Sequence, residues 1–596
     1  MIDITDKKLC CGCNACADAC HADAISFDTD NEGFWYPKVD TQRCTNCGLC
    51  EKVCPIINVS ALKKNDLEQS ECYVAVNKNL DVVFDSTSGG IFSVLAEAVY
   101  KEKGFVGGAV FTEDFSVKHY ISNVPEDLNQ IRSSKYLQSN LSGFYRQVKG
   151  LVTQGEKVLV CGSPCQMAAL RAYLRKDYPN LLIVDYICRG INSPKVWHKY
   201  LDSFEERYGS KVIYCKAKSK EFGWRKLTQK VILANGRHCY ETRDQSNYMK
   251  GYLRTGVFCR PSCYECRFKG FPRMADITLA DFWGIEKIDK TLDKYLGNSL
   301  VMLNSQKGKM FFEQLKDDID SIQVPFSSIE AGNRSLRLSV PPSKVDRQQF
   351  FSDLDKMSFD ELSRKYIQQK ETRKQWAKRE LKYVTDICRA TQLRPKPLFQ
   401  FLRLNSLREI LRGDVIVPTP HTIIDFAKGS HIIKHGMSVI GGKKFMGAHL
   451  ETRLLVERGA TLQFDGPTSI AYGAHIEVRE GATLRFGGYG STNIGAIISC
   501  AERIDIGAHV RFGRNITVID NNEGHHSNKP DLLRNGPVII GEKCWLCESC
   551  TIMPDVRIGD GAVIGAQAIV TADIPGHTLS VGSPAKVIKH DVLWKY

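Results

Sequence analysis

Cysteine spacing near the start of the chain constrains its fold more than any other feature. The spacing C-x2-C-x2-C-x3-C is followed by Cys10, Cys13, Cys16 and Cys20. The same spacing is repeated by Cys44, Cys47, Cys50 and Cys54. Structural zinc normally takes its ligands in two pairs, whereas each run here gives a triplet and one further cysteine. This pattern is typical of two four-iron clusters, in which the last cysteine of each run binds the other cluster.

We therefore expect residues 1–60 to form a ferredoxin-like module, and this segment resembles bacterial two-cluster ferredoxins. One [4Fe-4S] cluster is expected on Cys10, Cys13, Cys16 and Cys54. The other is expected on Cys20, Cys44, Cys47 and Cys50. The segment departs from that family at His21, where proline is usual, and the additional Cys11 has no assigned role. Two structural zinc sites remain the alternative.

The distribution of cysteines and charge limits the class of protein. Of 23 cysteines, nine lie between residues 10 and 54 and nine between residues 72 and 266. With no apolar signal segment at the start, this favours metal ligands over disulfides and predicts a cytoplasmic protein. The formal charge is +14, but bulk charge alone is weak evidence for nucleic-acid binding. We see no nucleic-acid-reading motif and expect no such partner.

A basic segment precedes the last part of the chain. Residues 343–415 are predicted to form a helical linker, and residues 364–412 hold 14 Lys and Arg against 4 Asp and Glu. A basic amphipathic helix can lie on an anionic membrane. Packing of one domain against the next is the commoner role of such a segment. Peripheral membrane contact therefore stays open, and no run of apolar residues is long enough to span a bilayer.

Residues 71–335 alternate apolar β-type runs with helical stretches, which predicts an α/β domain. Two segments have the composition of ligand-binding turns. Small residues precede a helical run at Ser88, Gly89 and Gly90, where backbone N–H groups can approach a phosphate, although an ordinary helix cap fits equally well. A second turn, between a β run and a helix where open α/β sheets bind ligands, contains Gly162, Ser163, Pro164 and Gln166.

A third cysteine group lies later in the same segment, at Cys259, Cys263 and Cys266. Together with the two turns, Lys135 and the run Asp281-Phe-Trp-Gly284, it resembles the coenzyme F420 hydrogenase/dehydrogenase beta-subunit family over residues 72–335. The resemblance implies a flavin (FAD or FMN), one further [4Fe-4S] cluster, and electron transfer to an organic hydride carrier or substrate. It implies flavin contacts from Ser88, Gly89, Gly90, Lys135, Gly162, Ser163, Pro164 and Gln166. Cys188 is our choice for the fourth cluster ligand, with Cys161 and Cys165 as alternatives.

A six-residue period marks the last part of the chain. Large apolar residues recur at Ile506, Phe512 and Val518, and then at Ile540, Leu546, Ile552, Ile558, Ile564 and Val570. This period predicts a left-handed parallel β-helix over residues 416–596. The wider gap between Val518 and Ile540 predicts a loop outside the prism at 520–535. Cys544, Cys547 and Cys550 fall on different faces and are not expected to hold a metal.

That loop reads Asp520-Asn-Asn-Glu-Gly-His525-His526 and resembles the catalytic loop of hexapeptide-repeat acetyltransferases. The resemblance implies that His525, or else His526, is the general base that deprotonates an acceptor hydroxyl or amine as it attacks acetyl-CoA. It also implies that Trp545 borders the acetyl site and that Lys586 lies beside coenzyme A. Such β-helices usually form trimers, so a homotrimer is expected.

The combined expectation is a multidomain, bifunctional iron–sulfur flavoprotein and acetyltransferase that modifies a sugar or polysaccharide. It would hold three [4Fe-4S] clusters and a flavin, and would use acetyl-CoA as cosubstrate. Its partners would be a ferredoxin-type or hydride-carrier electron donor and a sugar or small-molecule acceptor. The alternative is an electron-transfer subunit whose β-helix only trimerises it.

Overall fold

The computed structural model describes residues 1–62, 65, 70–235, 237–292, 296–368, 373–442, 449–522, 535–590, 592 and 594. The chain divides into two compact units, Met1–Gln369 and Lys370–Tyr596. The division falls inside the predicted basic linker. Each unit is described by itself.

The first 62 residues fold around two short helices and one hairpin. Helices α1 (Ala15–Asp18) and α2 (Leu49–Lys52) each overlap the end of a cysteine triplet, and strands β1 (Ile25–Thr29) and β2 (Trp35–Val39) pair antiparallel between them. The residues on both sides of each middle cysteine adopt left-handed backbone, at Gly12, Asn14, Asn46 and Gly48. Glycine and asparagine tolerate this conformation best, so both triplets form the same tight loop.

The rest of the first unit alternates strands and helices, as the sequence predicts. Its strands are β3 Glu71–Asn77, β4 Phe105–Phe111, β5 Val117–Ser122, β6 Ser139–Asn140, β7 Val158–Gly162, β8 Leu181–Tyr186, β9 Val212–Ser219, β10 Thr228–Leu233, β11 His238–Glu241, β12 Ile277–Asp281, β13 Ser299–Leu303 and β14 Ile319–Val324. Its helices are α3 Leu80–Asp85, α4 Ile91–Lys101, α5 Leu128–Ile131, α6 Phe144–Thr153, α7 Pro164–Leu174, α8 Pro194–Tyr208, α9 Asn247–Lys250, α10 Gln306–Glu313, α11 Arg347–Leu354 and α12 Phe359–Tyr366.

Nine of these strands form one sheet in the order β14-β3-β13-β12-β8-β7-β4-β5-β6. Strands β4, β7, β8 and β12 are parallel neighbours. Strand β3 runs in the same direction, because β13 is antiparallel to both β12 and β3. The carboxyl ends of these five strands therefore share one edge of the sheet, where open α/β sheets place their ligands. Strands β9, β10 and β11 form a separate antiparallel sheet.

Burial explains why the central strands are so apolar. Strand β7 (Val-Leu-Val-Cys-Gly) and strand β8 (Leu-Leu-Ile-Val-Asp-Tyr) are covered on both faces, which requires near-continuous aliphatic side chains. The one charge within them is Asp185, which is fully buried and pairs with Arg273 at 2.8 Å. This ion pair holds the end of β8 in a fixed position just before Cys188.

The second unit begins with three helices, α13 (Arg373–Thr391), α14 (Pro395–Leu404) and α15 (Leu407–Arg412). Pro395 occupies the first turn of α14, where a missing N–H is harmless. Ser406 and Glu409 form a capping box at α15, and Gly413 ends that helix in left-handed backbone. Among the residues that the structure describes, none of the helices combines the length and apolar character that crossing a bilayer requires.

Short strands build the remainder of the second unit. They are β15 Ile416–Pro418, β16 Thr422–Phe426, β17 His431–Lys434, β18 Ser438–Gly442, β19 Thr452–Val456, β20 Thr461–Phe464, β21 Ser469–Ala471, β22 His475–Val478, β23 Thr483–Phe486, β24 Ile497–Cys500, β25 Arg503–Ile506, β26 Arg511–Phe512, β27 Thr517–Ile519, β28 Val538–Ile540, β29 Trp545–Leu546, β30 Thr551–Ile552, β31 Arg557–Ile558, β32 Val563–Ile564, β33 Ile569–Val570, β34 Leu579–Val581 and β35 Lys586–Lys589. Successive turns of the chain stack these strands in parallel on three faces, with a final antiparallel pair β34–β35.

One apolar core runs through all three faces. Every large residue of the six-residue pattern is buried in it, and so are the smaller residues two positions earlier, such as Val510 and Ala562. The prediction of stacked hexapeptide turns is confirmed. Earlier turns are longer and less regular, and there Phe464 and Phe486 stack inside the prism with ring centroids 5.3 Å apart. Cys544 and Cys550 are fully buried in this core, as expected for structural thiols.

Candidate functional site: three thiol groups and a cationic sheet edge

The first thiol group consists of Cys10, Cys13, Cys16 and Cys54. Burial raises the pKa of the Cys16 thiol well above its ordinary value, and electrostatic interaction with the other three thiols raises it further. Burial likewise raises the pKa of Cys54, to about 11, and electrostatic interaction with Cys13 and Cys10 contributes in the same direction. The four residues that the spacing predicts to share one cluster therefore lie together in the fold.

The cysteines predicted to hold the second cluster, Cys20, Cys44, Cys47 and Cys50, lie nearer the surface. The backbone N–H of Ala24 donates to Cys20 Sγ at 3.3 Å. Cys44 and Cys50 both act electrostatically on the amino terminus. A backbone N–H bond from Leu49 lowers the pKa of the exposed Cys47. N–H donors of this kind stabilise thiolates.

A third group forms around Cys259, Cys263 and Cys266, and Cys188 joins it. The segment after Cys188 lies against the triplet, since Asn192 and Cys259 form an antiparallel bridge and the Ile191 N–H donates to Cys263 Sγ at 3.3 Å. A side chain at Gly190 would come within 3.4 Å of Cys259 Sγ. Cys188 itself is half-buried and interacts electrostatically with Cys266 and Cys259.

The two alternatives to Cys188 have different surroundings. Cys161 lies in β7, where it packs partly buried against the apolar core, and it acts electrostatically on Lys135. Cys165 lies between the groups, because it interacts with Cys11 on one side and with Cys188, Cys263 and Cys266 on the other.

The donor chemistry of the three groups fits iron–sulfur clusters, since each offers four sulfur atoms. In the described ranges, no three His, Cys, Asp or Glu side chains stand close enough together to hold a single metal ion. Thiolates that bind different irons of one cube have no need to converge on a single point.

The two predicted turns both lie at the carboxyl edge of the large sheet. Gly90 caps helix α4 in left-handed backbone, and the Gly89 N–H donates to Ser299 Oγ at 2.9 Å. Ser163 begins α7, and its N–H donates to Gln166 Oε1 at 2.9 Å. The first turn comes after α3 and lies against the end of β3, where the Asn77 N–H donates to the Gly89 carbonyl at 2.8 Å, and the second turn follows β7. Three other strands separate β3 from β7, so the turns are roughly 19 Å apart. One extended ligand is needed to contact both.

A row of lysines faces the first turn. Lys216, Lys218 and Lys220 alternate along β9 and its end, so their side chains share one face. Lys216 pairs with Asp85 at 2.5 Å and Lys218 with Asp281 at 2.6 Å. Lys220 donates to the carbonyls of Val83 and Ser88. Burial lowers the pKa of Lys220 to about 6.

Lys135, a predicted flavin contact, extends this cationic region towards β7. Burial lowers its pKa to about 7, and the nearby Lys216 lowers it too, whereas Cys161 raises it. Its ammonium donates to three carbonyls at the end of α5, of Gln130, Ile131 and Arg132. With Arg132, which pairs with Asp85 at 2.9 Å, these lysines outnumber the carboxylates that they contact. The buried Ser86 hydroxyl, in the same turn, finds no hydrogen-bond partner among the described residues. This edge is therefore suited to an anionic ligand.

Two tryptophans border the same edge. Trp224 and Trp283 stack with ring centroids 4.5 Å apart, and Lys218 Nζ lies over both rings. The indole N–H of Trp224 donates to Asp281 at 3.0 Å. Trp224 is fully buried, while Trp283 is partly exposed. A flat aromatic surface thus lies beside the cationic row.

In the second unit, the base of the predicted loop is firmly anchored. Asp520 is fully buried, and its carboxylate accepts the N–H groups of Ala501, Glu502 and Arg503 at 2.7 to 2.8 Å. The Asn522 N–H donates to Asn535 at 2.8 Å and closes the loop. The predicted catalytic residues His525 and His526 lie outside the described residues.

The other two predicted residues of this site lie on one face of the prism. Trp545 is 41% exposed on β29. Its ring lies 5.7 Å from that of Trp594. Lys586 begins β35, which belongs to the same sheet in the order β26-β29-β32-β34-β35. Two strands separate β29 from β35, so the two residues are roughly 14 Å apart and are not in direct contact.

Several site residues carry little or no signal of their own in the sequence. The lysines are the exception, because the alternation Lys216-x-Lys218-x-Lys220 predicts a strand with positive charge on one face. Asp85, Trp224 and the buried Arg260 belong to no motif, because their roles depend on partners far away in the chain.

Comparison with known proteins identifies three regions. The family model of the 4Fe-4S dicluster domain matches residues 9–57. The model of the C terminus of the coenzyme F420 hydrogenase/dehydrogenase beta subunit matches residues 155–324. The model of the bacterial transferase hexapeptide (six repeats) matches residues 537–572. Three separate segments of the chain are therefore similar to a dicluster iron–sulfur domain, to the C terminus of the F420 hydrogenase/dehydrogenase beta subunit and to bacterial transferase hexapeptide repeats.

Curated relatives named as acetyltransferases each match a small part of the chain. WbbJ of Escherichia coli (strain K12), whose name assigns it to lipopolysaccharide biosynthesis as a putative O-acetyl transferase, is 35% identical over 103 residues, which is 15% of this chain and 53% of WbbJ. Galactoside O-acetyltransferase of Lactococcus lactis is 39% identical over 89 residues, 14% of this chain and 42% of the relative. The chain thus spans about half the length of these relatives or less.

Solved structures show distant likeness. The F420-reducing [NiFe] hydrogenase complex of Methanosarcina barkeri matches with 17% identity and a TM-score of 0.33 over 50% of this chain and 91% of that chain. The polySia-specific acetyltransferase NeuO matches with 21% identity and a TM-score of 0.22 over 30% of this chain and 89% of that chain.

Proposed function

We propose that this chain is a bifunctional enzyme, an iron–sulfur flavoprotein oxidoreductase joined to an acetyl-CoA-dependent O- or N-acetyltransferase. The observation that carries the proposal is the clustering of thiols in the first unit, where Cys10, Cys13, Cys16 and Cys54 form one group and Cys188, Cys259, Cys263 and Cys266 form another. The four domains are proposed as 1–60, 71–335, 343–415 and 416–596, and the chain is proposed to work in the cytoplasm.

The redox part rests on the thiol groups. Each group is proposed to hold one [4Fe-4S] cluster, which supplies one-electron transfer when bound. Electrons from a ferredoxin-type or hydride-carrier donor would enter through the first 60 residues. Cys188 is the proposed fourth ligand of the third cluster, because its segment lies directly against Cys259 and Cys263.

The flavin is proposed to lie along the carboxyl edge of the sheet. Its phosphate groups would meet Ser88, Gly89 and Gly90, with Lys135 and Lys220 supplying positive charge. Gly162, Ser163, Pro164 and Gln166 would contact its other end. The distance of roughly 19 Å between the turns favours FAD over the shorter FMN.

The acetyl-transfer part rests on the repeats and on the anchored loop base. His525 is the proposed general base and His526 the second candidate, with Trp545 beside the acetyl group and Lys586 beside coenzyme A. A homotrimer with a site shared between neighbouring copies is proposed, because left-handed β-helices of this type usually form trimers. A sugar or polysaccharide acceptor is proposed, since WbbJ and galactoside O-acetyltransferase carry such names.

Peripheral membrane contact is also proposed, because the helices at the start of the second unit expose apolar side chains beside basic ones. Phe399 and Leu402 are 69% and 66% exposed on α14. Arg394, Lys396 and Arg403 lie on the same helix or at its start. Apolar insertion combined with positive charge favours an anionic lipid surface. The variant F399S/L402S is expected to lose co-sedimentation with anionic liposomes, and equal binding of wild type to neutral liposomes would contradict the electrostatic part.

The acetyltransferase proposal is tested by measuring acetyl transfer from labelled acetyl-CoA to a panel of sugars. H525A is expected to abolish transfer or reduce it at least 100-fold, within the range of general-base contributions. The matched control is H475A, which removes an exposed histidine that faces Glu477 on β22 and should leave transfer unchanged. If wild type transfers no acetyl group to any acceptor, the β-helix serves only assembly.

A further inference from the structure

Arg260 is the largest charged side chain that the first unit buries completely. Its main chain belongs to the third thiol group: Arg260 directly follows Cys259, and its carbonyl accepts the Cys263 N–H at 2.9 Å. Its side chain instead reaches the first thiol group, where Nε donates to the Cys10 carbonyl at 2.8 Å. One residue therefore contacts two thiol groups.

The remaining contacts of the guanidinium are all neutral. Nη1 donates to Gln138 Oε1 at 2.9 Å and Nη2 to the Trp35 carbonyl at 3.0 Å. The group also lies over the ring of Tyr36 at 4.3 Å. Within the part of the chain that the structure describes, no carboxylate forms an ion pair with Arg260.

A fully buried cation with only neutral partners is strongly destabilising, because the charge loses its hydration without gaining a counter-charge. Nearby Arg347 shows the usual solution. It also donates to the carbonyl of a cluster cysteine, Cys259, at 2.7 Å, but it pairs with Glu32 at 2.6 Å. Arg260 has no such carboxylate in the described ranges and instead lies between two sets of four thiols. An oxidised four-iron cluster with four thiolates carries a net charge of about −2.

The space around Arg260 is tightly filled. Gly12, the residue before Cys13, has φ +66°, and a side chain there would collide with Gln138 and come within 2.8 Å of Arg260 Nη1. The cysteine loop thus comes as close to the guanidinium as its backbone allows. The positive charge is held against the loop rather than free to turn towards solvent.

We propose that Arg260 is the shared counter-charge of the first and third clusters and raises the reduction potential of both. This proposal rests on the proposed function, in which both thiol groups hold clusters. Reduction adds one electron, and hence one negative charge, to a cluster. A fixed nearby cation stabilises the reduced form more than the oxidised form.

The test is a potentiometric titration of the anaerobically purified full chain, followed by electron paramagnetic resonance. In R260Q, two of the three one-electron steps are expected to move to lower potential by at least a tenfold change in the reduced-to-oxidised ratio, which is 59 mV for one electron. The step of the cluster on Cys20, Cys44, Cys47 and Cys50 should stay in place and serves as the internal reference.

Two further variants separate charge from structure. R260K keeps the positive charge and is expected to stay closer to wild type than R260Q does. The double variant R207Q/D360N removes an exposed ion pair between α8 and α12 without changing net charge, and it should move no step by as much as tenfold. If R260Q fails to assemble its clusters, assembly of R260K with wild-type potentials supports the proposal, whereas loss of clusters in R260K as well overturns it.

The other outcomes are equally distinct. Unmoved potentials in R260Q with a full complement of iron would overturn the counter-charge role and leave the proposed function standing. Wild-type protein with fewer than three clusters would instead refute the proposed function on which the inference rests.

Discussion

The anchored base of the acetyl-transfer loop allows a quantitative prediction for D520N. Asp520 Oδ1 accepts the Ala501 N–H, and Oδ2 accepts those of Glu502 and Arg503. An asparagine amide must place its NH₂ against at least one of these donors in either orientation. Hydrogen bonds to a charged acceptor contribute about 1.5–3 kcal/mol each. Losing one such bond, and weakening the rest with the charge, should cost about 3 kcal/mol locally.

Amide hydrogen exchange, read by mass spectrometry on peptides covering 499–506, measures this cost. A loss of about 3 kcal/mol corresponds to roughly 100-fold faster exchange where local opening governs it. The same variant should lower acetyl transfer, because the loop that carries His525 leaves the prism at this point. The control is D505N, on the neighbouring strand β25. Asp505 is 9% exposed, but it pairs at 2.7 Å with Arg503, whose side chain is 59% exposed. Water screens this pair, so its loss should cost less than about 1 kcal/mol.

Either of two results would refute this role of Asp520. Exchange in D520N that rises less than about threefold would show that the carboxylate does not hold the turn. Equal acceleration in D505N would show that any lost charge in this region has the same effect, whatever bonds it makes.

Three further predictions concern the first unit. C188S should lose about four irons of about twelve, while C161S should keep them all; the reverse result would assign the fourth ligand to Cys161. Burial lowers the pKa of Lys135 to about 7 and that of Lys220 to about 6, so both amines are mostly neutral at pH 8. An anionic flavin should raise both pKa values, and its binding should therefore be accompanied by proton uptake. Calorimetry of flavin binding in two buffers of different ionisation enthalpy measures this, and proton release would contradict it. D85N leaves Lys216 and Arg132 without their carboxylate and should lower the free energy of unfolding of the first unit by about 2 kcal/mol, after allowance for the partial exposure of Asp85. The urea midpoint measures this loss. The control D81N, at an exposed position, should leave the midpoint unchanged.

Regular spacing made much of the fold predictable. Hexapeptide turns bury one large residue every six positions, so Ile540, Ile552 and Ile564 could be assigned to the core from the sequence alone. The cysteine triplets were equally informative, because ligand spacing reflects the loop that wraps a cluster. The apolar runs of β7 and β8 indicated the α/β sheet.

Contacts between distant segments could not be predicted in this way. Arg260 and Cys10 are 250 positions apart, and Lys220 meets Ser88 across 132. No periodicity links such pairs, since their meeting depends on the order of the strands. The irregular early turns of the prism, around Phe464 and Phe486, also lacked the six-residue signal. Their longer turns obscure the period although the core is the same.

The content of iron, acid-labile sulfide and flavin after anaerobic purification tests the central claim most directly. About 12 irons and one flavin per chain are expected, which corresponds to three four-iron clusters beside one flavin site. About eight irons without flavin would contradict the proposed redox function. The dicluster domain would then stand, but the third thiol group and the cationic sheet edge would need another explanation.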